Sequence, residues 1–144
     1  MHFLRECLMA AVQVQHYLGR ARDFLKGMDL LQDDLSEYRF SPALLGIHCA
    51  ISYSDALRTG MGRADVSSDE HRTATNDLRK LLADRRYVNL KGTDRLGKLL
   101  SKKRGVEYDP VTVRENEVRE IVKQAERFAE WAEETGRKLK IEGW

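Results

Sequence analysis

Ten lysines and arginines fall within residues 79–104 against two aspartates, a local balance of +8 in a chain whose net charge is only +2. Cations concentrated in this way can neutralise the phosphates of a nucleic acid. Arg95, Lys98, Lys102, Lys103 and Arg104 are the expected phosphate contacts, and Tyr108 beyond them, like Tyr87 within the block, can stack on an exposed base. The opposing reading is a solvated face balanced by the chain's own carboxylates. Residues 1–78 and 105–144 each carry a balance of −3, and Glu115, Glu117, Glu120, Glu126, Glu130, Glu133 and Glu134 all lie in the last stretch.

Acid–base chemistry has fewer candidates. His48, Ser52 and Asp55 follow at steps of four and three, so a helix carries them on one side, with Thr59 a turn further. A histidine near a carboxylate can serve as a general acid or base. Inside a bundle, the more ordinary outcome is that such groups satisfy one another or a nearby backbone. His71 falls on an apolar line, where a hydrogen-bonded structural histidine is the default. His48, Asp55, His71 and Arg104 are thus the catalytic candidates. Cys7 and Cys49 are too few and too isolated for a disulfide framework or a zinc site, and no phosphate-cradling glycine loop is present. No metal or cofactor is expected.

The elements that must position these groups are helical. Hydrophobic residues make up 42% and charged residues 33% of 144, with two prolines, which predicts one all-α domain over residues 1–144. Residues 43–57 contain only His48 and Asp55 as ionisable groups and many small side chains, the composition of a post that other helices approach from several sides. Ser41 and Pro42 are its expected cap and first turn, and Gly60-Met61-Gly62 its stop.

A long amphipathic helix is predicted over residues 9–35, with a frayed or separate start at residues 2–8. Residues 67–70 and 112–115 have capping-box spacing and open two further helices. A short fourth helix starts at Thr93 or Asp94 and ends or bends at Arg104-Gly105, before a connector closed by Pro110. The last helix buries Val118, Ile121, Val122, Ala125, Phe128, Ala129, Ala132 and Leu139, with Trp131 and Trp144 off that line. The expected architecture is an up-and-down antiparallel helical bundle of four main helices plus one shorter helix.

The set and order of these segments resembles the HEPN family. The matching pieces are the long first helix, His48-Cys49-Ala50-Ile51-Ser52-Tyr53-Ser54-Asp55-Ala56-Leu57, and His71 at the opening of the next helix. Lys103-Arg104-Gly105-Val106-Glu107-Tyr108-Asp109 and a last helix with Ala125-Glu126-Arg127-Phe128 complete the set. They span residues 14–139. The resemblance implies an all-α bundle that commonly dimerises, with roles in RNA cleavage, RNA binding or nucleotide-linked regulation, often in toxin–antitoxin and defence systems.

Active HEPN ribonucleases carry an arginine followed, after four to six residues, by a histidine; here Arg63 and His71 are separated by seven residues, and Arg39 and His48 by eight. Arg104 and Tyr108 stand where related domains carry arginine before tyrosine, with no histidine following. The expectation is a cytoplasmic homodimer that binds RNA or a nucleotide-bearing partner without a conventional ribonuclease centre and without a membrane span. The alternatives are a metal-independent endoribonuclease with a non-standard site and a dimeric scaffold for an antitoxin-like protein.

Overall fold

Apolar residues recur at helical spacing in every long segment, and the computed structural model, which describes residues 2–66, 71–108 and 113–144, is accordingly all-helical. Five helices, with no strand among the described residues, follow in order: α1 His2–Leu31, α2 Phe40–Gly60, α3 His71–Asp84, α4 Lys91–Tyr108 and α5 Glu115–Lys138. None of them is long and apolar enough to cross a membrane.

The small, apolar α2 occupies the centre. It packs against each of the other four helices, and Ala43, Ile47, Cys49, Ala50, Tyr53, Ala56 and Leu57 lose all solvent contact. Small residues permit the close crossing: a Cβ on Gly46 would stand 2.9 Å from Met28 Sδ on α1 and 3.1 Å from Ala125 Cβ on α5. As residue numbers fall along α1 they rise along α2, from the Met28–Gly46 contact to the Phe24–His48 ring pair, so these two helices run in opposite directions.

Several boundaries differ from the sequence expectation, each for a local reason. α1 is one continuous helix from His2 and stops at Leu31; Leu35 is buried from the turn that follows. Its first turns are apolar and uncovered, with Phe3, Leu4, Leu8, Met9 and Val12 all more than half exposed. α2 opens at Phe40 with no side-chain cap, so Ser41 does not cap it. Pro42 lies inside the first turn, where its missing N–H would have had no helical partner. Residues 67–70 and 109–112, and with them the first capping box, the start of the second and the Pro110 connector, lie outside the described residues.

α4 is longer than expected at both ends. Asn89 Oδ1 accepts the Lys91 N–H at 3.4 Å, and the Leu90 carbonyl accepts from the Thr93 hydroxyl at 2.7 Å, which together start the helix before Thr93. At the other end Val106 is buried and Glu107 is engaged by neighbours. These contacts offset the up to ~1 kcal/mol that Gly105 costs inside a helix. At 18 residues α4 is no short helix, and α3 has 14 among the described residues.

Trp131, expected off the buried line of α5, is 4% exposed. It fits because α4 presents Gly92 there: any Cβ at that position would strike the indole. Its Nε1 donates to the Asn89 carbonyl at 3.0 Å. Trp144 follows the same logic over Gly136, folding the C-terminal segment back so that its ring stacks on Tyr53 with centroids 6.3 Å apart.

Candidate nucleic-acid interface

The cations of the basic block divide once folded. Lys98, Lys102 and Arg104 are exposed on α4 and Arg95 is half-buried; none of the four makes an ion pair among the described residues. Lys103 does not belong with them. Its Nζ lies 3.7 Å from Glu107 Oε1, and the same oxygen lies 3.4 Å from His48 Nε2. Tyr108 closes the helix with 75% of its surface exposed.

His48 thus reaches α4, and Phe24 lies beside its ring, centroids 6.0 Å apart. Glu107, with 18% of its side chain exposed against 37% for His48, is placed to orient the imidazole. A half-exposed histidine beside a carboxylate can move a proton for a bound ligand. Arg104 lies three residues before Glu107 on the same helix.

Asp55, a catalytic candidate expected on the same side of its helix as His48, does not join this group. It lies 3.7 Å from Arg58, whose side chain is fully buried. The Arg58 Nε donates to Asp77 Oδ2 at 2.9 Å, and Arg63 binds the same carboxylate. Burial alone would push the Asp77 carboxyl up, but the hydrogen bonds from Arg63 and Arg58 outweigh it and hold the group below the usual carboxylate range. This cluster ties α2 to α3. His71 opens α3, and its side chain lies outside the described residues.

The glutamates of α5 bear directly on whether the edge is free. Glu133 accepts two hydrogen bonds from Arg22 at 2.8 and 2.9 Å, one from the Tyr53 hydroxyl at 2.8 Å and one from Trp144 Nε1 at 3.0 Å. Burial would raise this carboxyl, yet the donated bonds hold it below its ordinary value. Burial and then the neighbouring Glu133 push the Tyr53 phenol far up. Glu134 pairs with Lys138, Glu115 with Arg119, and Glu126 accepts from Gln32. Glu117 and Glu120 meet the basic edge, lining with Lys98 and Lys102 a cleft of about 240 Å³. Arg95 and Arg104 stand outside that cleft.

The Glu133 network is the functional-looking feature that sequence reasoning missed. Its groove, about 630 Å³, is lined by Arg22, Lys26 and Arg137 against Asp29, Glu126, Glu130 and Glu133, over a floor of Leu25, Tyr53 and Ala129. Three cations face four carboxylates there, and the carboxylate at its centre is already fully engaged, which makes it a structural clasp between α1, α2 and α5. A lone tyrosine inside the apolar α2 was the one signal in the sequence, since a buried phenol needs a partner. Cys49, also on α2, is a buried free thiol pushed up to about 12 by desolvation, and is therefore unreactive.

Comparison with protein-family models, with curated proteins and with solved structures finds no match to this chain.

Proposed function

We propose that this chain is a HEPN-like, up-and-down helical bundle that binds RNA or a nucleotide-bearing ligand along the outer edge of α4. The observation that carries this reading is the group Arg95, Lys98, Lys102 and Arg104, four cations on one helix with no ion pair among the described residues. Phosphates would supply counter-charges within ion-pair reach and release condensed ions on binding. The exposed apolar start of α1 supports a homodimer, because five large apolar side chains in water favour a partner surface. A place in a toxin–antitoxin or defence system belongs to the same reading.

Binding of this kind has a measurable salt signature. Fluorescence anisotropy with labelled decauridine is expected to show log affinity falling against log salt with a slope near −3, about −0.7 for each phosphate neutralised on a single strand. Replacing Lys98 and Lys102 with alanine is expected to cut that slope roughly in half. Absence of binding at low salt, or a slope unchanged in the double variant, contradicts the proposal.

The His48–Glu107 pair favours a second reading, metal-independent RNA cleavage at a non-standard site with His48 as the acid–base group and Arg104 on phosphate. Under it, His48→Ala abolishes cleavage of the same oligonucleotide in the presence of a chelator while binding persists. No cleavage by the unaltered protein removes this second reading and leaves the first.

A further inference from the structure

The outer face of α4 carries a glycine that no packing contact among the described residues calls for. Gly105 is exposed in the last turn of the helix, and a Cβ built on it meets no heavy atom of the described residues within 4 Å. Alanine would fit there and would favour the helix. Gly92 and Gly136, by contrast, each lie against a tryptophan that any side chain would strike. Gly105 follows Lys98 and Lys102 by seven and three residues, and Ser101 by four, which places all of them on one exposed stripe. Tyr108 stands one turn further, three-quarters exposed, with no hydrogen bond or ring contact among the described residues.

Resting on the reading of α4 as a phosphate-binding edge, we infer that this stripe takes single-stranded rather than duplex RNA. The sugar–phosphate backbone crosses the helix at Gly105, and a base stacks on Tyr108. A bare glycine lets a ligand's backbone come closer to the helix than any side chain would. The lysines supply charge on one flank and Arg104 on the other, so the strand is steered over the one position without a side chain. Lys98 to Tyr108 spans about 15 Å of helix axis, room for a short run of nucleotides. An exposed tyrosine can stack only on a base free of its own neighbours, which a duplex does not offer and a single strand does.

The experiment compares labelled decauridine with an RNA duplex of equal charge, using the full chain and the variants Gly105→Ala, Gly105→Leu and Tyr108→Ala. Gly105→Ala is expected to raise the thermal midpoint by roughly 2–4 °C, showing that the fold tolerates a side chain there. Gly105→Leu is expected to weaken decauridine binding about fivefold with helix content unchanged, and Tyr108→Ala to weaken it by roughly tenfold.

Affinity for decauridine unchanged in Gly105→Leu, or a duplex bound as tightly as the single strand, overturns this inference. If the Lys98 and Lys102 variants still weaken binding in that case, the phosphate-edge reading survives it. No binding of either RNA, or polyglutamate displacing decauridine as well as unlabelled decauridine does, overturns both.

Discussion

Replacing Arg58 with methionine is expected to lower the free energy of unfolding by about 3–5 kcal/mol, the usual consequence of removing one partner from a buried ion pair. Arg58 is the largest fully buried side chain in the chain. It is held by Asp77 at 2.9 Å and Asp55 at 3.7 Å, carboxylates whose side chains are only 12% and 13% exposed. Methionine fills similar space but leaves Asp55 without this cation and Asp77 with Arg63 alone. Arg63 is 44% exposed, so Arg63→Met is expected to cost about 1 kcal/mol or less. Urea unfolding followed by helical circular dichroism measures both. Similar losses for the two variants would show that the buried position of Arg58 contributes nothing beyond a surface pair.

The second large effect is expected at Glu133. Glutamine is nearly the same shape but offers one acceptor oxygen where the carboxylate offers two, and its amide group faces donors. With bonds from Arg22, Tyr53 and Trp144 converging on this side chain, Glu133→Gln is expected to cost about 2–3 kcal/mol, chiefly through the buried Tyr53 hydroxyl. Arg22 is 47% exposed and can turn to water, which keeps the cost below that at Arg58.

The pH dependence identifies the cause. The Glu133 carboxyl titrates below its ordinary value of 4.5 in the folded chain. Its contribution is therefore complete above that value and is lost as pH falls through the folded one. The gap in urea midpoint between the parent and Glu133→Gln is accordingly wide at neutral pH and closes on acidification. A gap that stays constant as pH falls below 4.5 would point to packing instead. Asp77, also held below its ordinary value, adds an acid-sensitive contribution of the same sign.

What was legible in the sequence was what depends on near neighbours. The central position of α2 could be read from its side chains, because a helix with small and apolar residues on every side has no face to give to water. The buried lines of α1 and α5 followed from spacing alone, with Val14, Leu18, Ala21 and Met28 on the first and Val118 to Ala132 on the second. Trp131 escaped this reasoning because its burial depends on a glycine 39 residues earlier, on another helix. Gly105 was read as a stop because glycine weakens helices, whereas burial of Val106 and the grip on Glu107 carry α4 through it.

At the site, the charge block was visible as composition, but its division into free and paired cations was not. Lys103 is paired where its neighbours are not, because Glu107 lies one turn beyond it, at 3.4 Å from His48 of α2 as well. Asp55 looked like a partner for His48 at helical spacing; Arg58, three residues further, takes it toward α3 instead. Which of seven glutamates meets Tyr53 cannot be read from a periodic α5 either, since each repeats the same local pattern.

The central claim is that α4 presents a nucleic-acid-binding edge. Mapping backbone amide shifts of the isotopically labelled chain by nuclear magnetic resonance, as decauridine is added at low salt, tests it most directly. The account predicts saturable changes concentrated between Arg95 and Tyr108, extending to His48 and fading as salt is raised. Changes centred instead on Arg22, Tyr53 and Glu133, with α4 unmoved, would contradict it.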